Sequence, residues 1–355
     1  MQYKLLEILR CPVTRSELTL NTIKETQQTF KEATVTIIKE GILFSDTNWF
    51  YPVIDGIPRL CVEAFMDYKD FLKLHLPFYE ERSRKLKQDN KDFLKHIISK
   101  NKRTKKSFTK EWSVFDYEKD KSWDADDAEM FDLFLKETNE TATSINGKIV
   151  FDAGCGNGKL NCLLGNKGIV NIAMDFSDSI VTANRFNVSE NVHFIQGDVQ
   201  FPPVAINYFD IVHSSGVLIH TNNTELSLSC LTPTLKAGGK MSVFLYHPRK
   251  DFIHNLFNKI RSVTSKLPLD FQYYLYLFTL FPLSFCTKRI KGNKQNAREM
   301  MVDILDWFTP EFRSEHSHDE VAAWFFKRDF IKVQITTDGM FGFNTIATKK
   351  FLILK

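Results

Sequence analysis

Three acids in this chain, Asp152, Asp175 and Asp198, each close a β-rich run, and the first leads into three glycines, Gly154, Gly156 and Gly158. In "VFDAGCGNGKL" the strand breaks into a G-x-G-x-G turn, which lets a ligand approach the backbone closely. The dinucleotide fingerprint is G-x-G-x-x-G, so the third glycine comes one position early. A phosphate loop is also excluded, because Gly158-Lys159 is followed by Leu160 and not by Ser or Thr. Asp152, two residues before Gly154, would repel a pyrophosphate and attract an ammonium group. Asp175, at the end of "AMD", can accept hydrogen bonds from both hydroxyls of a ribose. Asp198, in "IQGDV", can accept from an exocyclic amine. Any one of these acids could equally be a helix cap or surface group, and the glycines could serve turn geometry alone. As a set they suit a nucleoside carrying a cationic amino acid.

The elements around these residues alternate. Strands are expected at "KIVFD", "IVNIAMD", "VHFIQ", "FDIVHSS" and "KMSVFLY", with helices near 157–167, 178–188 and 223–236. Such alternation predicts a parallel sheet covered by helices, an α/β fold whose ligands sit at the carboxyl ends of the strands. "LKAGGK" reads as a helix end with glycines at its C-cap. Residues 1–62 read as a small β-rich unit, from "LTLNTI", "ATVTII" and "WFYPVI" with turn residues between. Residues 63–115 read as a helical basic linker, with the aromatics of "SFTKEWSVF" forming a packing stripe. Residues 250–305 read as helical and aromatic-rich, Ser317 and Glu320 as a capping box, and the end as two strands around "DGMFG".

Composition narrows the class. The chain has 355 residues, 43% hydrophobic and 25% charged, as folded proteins have. Six scattered cysteines give no close pair and no disulfide framework, which points to a reducing compartment. The start, "MQYKLLEILRCP", is not a signal peptide, and the apolar tract at 271–286 is too short to span a bilayer, so a cytoplasmic protein is expected. Residues 82–110 hold 12 Lys or Arg and two acids, a local charge of +10 within a net +4. Without interleaved aromatics this block reads as a solvated helix, and nucleic acid as an unlikely partner.

The motifs "VFDAGCGNGKL", "MDFSDS", "QGDV", "FDIVHSSGVLIH" and "LKAGGKMSVFLY" resemble, in order and spacing, those of the class I S-adenosylmethionine-dependent methyltransferases. The resemblance covers roughly residues 107–350. It implies a Rossmann-like seven-stranded sheet ending in an antiparallel hairpin, with a core at 116–249 and 306–355 and a helical lid or substrate cap at 250–305. It implies S-adenosyl-L-methionine as cofactor and S-adenosyl-L-homocysteine as product. By position, Asp152 and the turn of Gly154, Gly156 and Gly158 would hold the methionine end, with Ser214 nearby. Asp175 would hold the ribose, Phe176 would pack on the adenine, and Asp198 with the Val199 backbone would meet the adenine edge.

The N-terminal "LLEILRCPVTRSEL" and "YPVIDGIPRL" resemble the small zinc-ribbon family that includes methyltransferase activator subunits. Three of the four ligand positions read Thr14, Phe44 and Thr47, leaving Cys11 alone, so a degenerate ribbon without metal is expected. Ribbon–methyltransferase fusions of this kind often serve natural-product or surface-glycan pathways.

Methyl transfer is an in-line displacement in which the protein mainly aligns the acceptor. A general base is also expected, and the candidates on the strand-end rim are His220, Tyr246, His247 and His316. The expected acceptor is a small-molecule or carrier-linked metabolite. Two other readings remain: a scaffold that keeps the fold without catalysis, and an RNA methyltransferase. The tract "YYLYLFTLFPL" is read either as the buried face of the lid or as an exposed patch making weak membrane contact.

Overall fold

The β-branched and aromatic runs of the first 62 residues pair as the pattern predicts. The computed structural model describes residues 1–122 and 124–351. A short helix, α1 (Tyr3–Leu6), precedes an antiparallel sheet of β1 (Thr19–Thr29), β2 (Thr34–Phe44), β3 (Phe50–Ile54) and β4 (Ile57–Pro58), in that order. Asp55 and Gly56 both have positive φ, as the tight β3–β4 hairpin requires. β1 is polar and largely exposed, whereas Ile38, Ile42, Leu43, Phe50, Tyr51 and Val53 are buried. Cys11 is buried among them, its Sγ 3.4 Å from the Tyr51 hydroxyl, while Thr14 and Thr47 are exposed.

Four helices follow: α2 (Ala64–Asp67), α3 (Lys69–His75), α4 (Tyr79–Asp89) and the long α5 (Lys91–Val114). The basic block is only half solvated. Lys91, Lys95, Lys102 and Lys106 of α5 are exposed, but Leu94, Ile97, Asn101, Ser107 and Glu111 turn inward and are buried. The reading as a simple solvated helix is corrected here: apolar residues recur at helical spacing between the lysines, and that face packs.

Next come α6 (Asp127–Thr138), started by a capping box of Asp126 and Glu129, and the alternating units. These are β5 (Ile149–Ala153), α7 (Lys159–Asn166), β6 (Val170–Asp175), α8 (Ser179–Phe186), β7 (Val192–Gln196), β8 (Phe209–Ser215), α9 (Thr224–Leu231) and β9 (Leu235–Tyr246). Four helices, α10 (Phe252–Thr264), α11 (Leu269–Phe278), α12 (Leu280–Ile290) and α13 (Ala297–Phe308), lead to α14 (His318–Phe326), β10 (Phe330–Asp338) and β11 (Gly342–Lys349). Ser317 caps α14 by accepting from the Glu320 amide.

The large sheet has the order β10-β11-β9-β8-β5-β6-β7. Strands β9, β8, β5, β6 and β7 are parallel, and β11 is antiparallel to both β9 and β10. This is the expected Rossmann-like sheet with a C-terminal antiparallel hairpin. One boundary differs. "LKAGG" is not a helix end but the start of β9. Helix α9 stops at Leu231, a single tight turn at Thr232–Thr234 contains Pro233, and Gly238 at φ +77° sits where the β8–β9 register shifts. Glycine here serves a bulge within a strand.

The small sheet joins the large one at its β7 edge. The Leu60 amide donates to the Gln196 carbonyl at 2.8 Å, and the Arg10 amide to that of Pro203 at 2.9 Å. An otherwise open strand edge is thereby covered. The apolar core is continuous across this seam, from Leu9, Phe50 and Phe65 to Ile195 and Val204. Phe50 is fully buried, with edge contacts to Phe65 at 5.8 Å and Tyr79 at 6.1 Å between ring centroids. Phe50→Ala should cost about 3–5 kcal/mol. Because the core is shared, denaturant unfolding should remain one transition by both fluorescence and circular dichroism. Two separate transitions in the parent protein would contradict the shared core.

Candidate active site

Where β5 and β8 lie side by side, the chain order in the sheet reverses, and a crevice opens at the strand ends. A cavity of about 520 Å³ occupies it. Asp152, Gly154, Gly156, Asp175, Phe176, Asp198 and Val199 all line this cavity, as do His220 and Tyr246. Four other expected residues lie outside its lining. Ser214 is buried and donates to the Ala153 carbonyl at 2.7 Å, and its neighbour Ser215 faces the cavity instead. Gly158 caps α7, against Ala183 and Phe194. His316 is held by Thr224 at 2.9 Å and Glu320 at 3.1 Å. His247 donates from Nε2 to Asp338 at 2.9 Å and to the Gly339 carbonyl at 3.1 Å, at the hairpin.

Protein atoms press on the first two glycines of the turn as well. Gly154 has φ +104°, and a Cβ there would fall 2.2 Å from Val217; Gly156 has φ +54°, with a Cβ 2.8 Å from the Trp112 ring. The turn is therefore pressed between the segment after β8 and the inner face of α5.

Each acid at a strand end is held differently. Asp152 Oδ2 accepts from Asn161 at 3.0 Å, and its Oδ1 lies 3.0 Å from His213 Nδ1. The other His213 nitrogen is 2.8 Å from Glu137 Oε2 on α6. Burial alone would lower the His213 pKa, but the bonds to Asp152 and Glu137 outweigh it and raise it to about 10. His213 is thus an imidazolium between two carboxylates, and the trio keeps one net negative charge. Asp175 is buried, which pushes its pKa up, against hydrogen bonds from Ser177 and the Gly156 amide. Asp198 Oδ1 accepts from the Gln200 amide at 2.9 Å, and Oδ2 from Lys100 and Asn101 of α5, both at 3.1 Å.

A second group sits at the other end. His220 Nδ1 donates to the Phe312 carbonyl at 3.0 Å, which leaves Nε2 without a proton. That Nε2 is 3.6 Å from Asp306 Oδ1, too long for a hydrogen bond. Burial lowers the His220 pKa to about 3, so the ring is neutral. Burial raises the Asp306 pKa to about 6, against the hydrogen bond from the Tyr246 hydroxyl at 3.1 Å. Glu111, from α5, is fully enclosed, and neither of its carboxylate oxygens accepts a hydrogen bond among the described residues. Burial first, and then the nearby Asp306 and Asp175, hold its pKa well above the ordinary range.

Sequence reasoning did not single out Glu111, Glu137, His213 or Asp306. Two of them carried a legible signal. Glu111 lies on the stripe of Phe108, Trp112 and Phe115, and Glu137 on the stripe of Met130 and Phe134. An acid on an apolar helical stripe needs a buried purpose. No residue of 250–305 lines the cavity, and Asp306 is the first to do so after that segment.

Residues 151–243 match the family model described as a methyltransferase domain. The chain is 24% identical over 186 residues to the ubiquinone/menaquinone biosynthesis C-methyltransferase of Shewanella piezotolerans, covering 48% of this chain and 71% of that protein. It is 26% identical over 180 residues to the corresponding enzyme of Teredinibacter turnerae, covering 46% and 72%. Among solved structures it is similar to the magnesium protoporphyrin IX methyltransferase of Synechocystis PCC 6803 with bound SAH. That likeness has a TM-score of 0.42 and 14% identity, over 72% of this chain and 100% of the other. The chain is an S-adenosylmethionine-dependent methyltransferase, and S-adenosylmethionine is its cofactor.

The His213 clamp has a measurable consequence. Its folded pKa, about 10, lies above the unfolded value near 6.5, so the folded state holds this proton more tightly. The stabilisation is complete below pH ~6.5 and should fade as pH rises towards ~10. Urea midpoints measured from pH 6 to 10 should fall, and His213→Asn should flatten that slope. An equal slope in both proteins would count against the clamp.

Proposed function

We propose that this enzyme methylates a small-molecule acceptor, with the donor at the Asp152–Asp175–Asp198 end of the cavity and the acceptor at the His220–Tyr246–Asp306 end. The observation that carries this reading is the contrast between the two ends. The donor-end acids already have protein partners, while Glu111 and His220 Nε2 face the cavity with none among the described residues.

The donor end suits the cofactor's charges and hydroxyls. The residual negative charge of Glu137, His213 and Asp152 fits an ammonium group. Three protein donors occupy Asp175, fewer than a carboxylate can accept, so room is left for a ribose hydroxyl. Phe176 faces the cavity as a surface for adenine. Asp198 meets the adenine edge beside Lys100 and Asn101. Ser214, Gly158, His247 and His316 act from outside the cavity lining, as supports of the strand ends and rim.

When bound, S-adenosylmethionine supplies an electrophilic methyl group on a sulfonium. The chain's own residues position the acceptor and handle its proton. His220 Nε2 and Asp306 Oδ1 are two lone-pair acceptors facing each other 3.6 Å apart. A hydroxyl, amine or acidic C–H placed there would give them the donor they lack. The Phe312 carbonyl orients His220 through Nδ1, and the Tyr246 hydroxyl orients Asp306. Below about pH 6 Asp306 takes a proton and no longer offers Oδ1 as a charged acceptor for the incoming group.

The relatives' printed names concern ubiquinone and menaquinone biosynthesis, which supports an acceptor of small-molecule size. The N-terminal sheet, by its resemblance to ribbon fusions, supports a natural-product or surface-glycan pathway. Cysteines without disulfides support a cytoplasmic enzyme.

Isothermal titration with S-adenosylmethionine tests the donor end. Asp175→Asn should weaken binding by roughly 10- to 100-fold, as loss of a charge-assisted hydrogen bond does. His220→Asn should leave this affinity within about twofold while removing methyl transfer. Unchanged affinity in Asp175→Asn would sink the assignment. For the acceptor, radiolabelled methyl from the cofactor should pass to the small-molecule fraction of a cell extract; label in RNA instead would overturn the small-molecule reading. With a labelled acceptor in hand, kcat/KM should fall as pH drops through about 6, and Asp306→Asn should remove that limb.

A further inference from the structure

Helices α10, α11 and α12 carry far more exposed apolar surface than their role in packing requires. Phe257, Ile260, Tyr273, Tyr276 and Phe281 pack against Met301, Ile304, Leu305 and Phe308 of α13. The side chains on other faces reach solvent: Phe252 is 80% exposed, Phe278 75%, Leu283 66% and Ile290 85%. α12 buries none of its residues. Folded proteins rarely expose apolar side chains in such a cluster without a partner.

A basic surface adjoins these helices. On α5, Lys91, Lys95, Lys102, Lys106 and Lys110 fall within roughly a 100° arc at 3.6 residues per turn. With Lys87 and Arg103 they line a broad groove of about 1090 Å³ whose apolar floor is Met66, Leu94, Ile98, Pro268 and Leu269. The groove ends on α11: Lys110 bonds Asp270 at 2.9 Å and lies 4.9 Å over the Tyr273 ring, and Arg103 donates to the Leu267 carbonyl. Residues 249–294 add nine Lys or Arg against two acids, a local charge of +7.

We propose that the α10–α12 apolar side chains and the α5 lysine groove together dock on a bilayer surface that contains anionic lipid. Charge complementarity selects the occupant. Interfacial attachment needs apolar and aromatic side chains that enter the headgroup region beside lysines that meet anionic headgroups. Nucleic acid would use the lysines but has no use for exposed Leu283 and Ile290. Attachment is peripheral, because no helix among the described residues is long and apolar enough to cross a membrane. The same α5 turns Asn101, Thr104, Phe108 and Glu111 into the cavity, on the side away from the lysine stripe. One helix thus joins the docking face to the cavity.

The test is co-sedimentation of the full chain with vesicles of phosphatidylcholine alone and of phosphatidylcholine with phosphatidylglycerol. Binding should require the anionic lipid and weaken as salt rises. Lys95→Glu with Lys106→Glu should reduce it by about tenfold or more, as removing surface cations does. Phe278→Asp with Ile290→Asp should reduce it as well, and both pairs should keep the parent's affinity for S-adenosylmethionine, which reports an intact fold. Equal binding to both vesicle types, or to neither, would overturn the proposal. So would lysine-dependent retention of RNA with no vesicle binding, or a dimer in light scattering that the Phe278→Asp, Ile290→Asp pair abolishes without any effect on vesicles.

Discussion

A buried imidazolium between two buried carboxylates is the interaction on which the Asp152 end of this cavity depends. Asp152 is the penultimate residue of β5, His213 is its register partner on β8, and Glu137 reaches in from α6. None of the three could be buried as a charge alone, since an unpaired ion away from water costs several kcal/mol. Together they satisfy one another, and they tie two strands and a helix at the point where the sheet order reverses. Ser242 and Asn344 extend the tie by donating to the Glu137 carbonyl at 3.0 Å each. The antiparallel hairpin is thereby coupled to the same helix.

The long helix α5 shows how one amphipathic element can serve two surfaces. Its inner face supplies Lys100 and Asn101 to Asp198, Trp112 to the glycine turn, and Glu111 to the far end of the cavity. The contact between Gly156 and Trp112 explains a glycine that could be mistaken for a pure ligand contact. The cavity is therefore not made by the sheet alone. It is closed by a helix that lies outside the alternating units, from the segment that joins the small sheet to the large one.

Much of the fold was legible because its signals are local. The β-branched runs, the acids after each run and the glycine turn all follow from residues within a few positions of one another. What was not legible depends on register and distance. "FDIVHSS" shows a histidine in a strand, but nothing local says that β8 will lie beside β5 with His213 opposite Asp152. Glu111 was set among packing aromatics because helical spacing gives the stripe and not its contents. Lys100 looked like one more solvated cation in a basic block, yet its side chain is buried against Asp198. "LKAGG" departs from its local signal for a similar reason: glycines after a helix favour a C-cap, but the helix stops at Leu231 ahead of Pro233, so these glycines fall in the strand.

The two ends of the cavity differ in how complete they are, and that difference has a physical basis. At the Asp152–Asp175–Asp198 end every acid is partnered within the chain, so these side chains are held in place before any ligand binds. At the other end Glu111 is an enclosed carboxyl whose pKa burial holds well above the ordinary range, and His220 and Asp306 confront each other without a shared proton above about pH 6. Leaving buried polar groups unpaired costs stability, so this arrangement is stable only to the extent that the rest of the fold offsets it. The unfilled atoms state what is missing: Glu111, its pKa raised by burial, favours donating a proton, while His220 Nε2 and Asp306 Oδ1, whose carboxylate partner oxygen already accepts from Tyr246, can only accept one above about pH 6. An acceptor that brings both a donor and an acceptor atom would satisfy them all, whereas a purely apolar one would leave the cost in place.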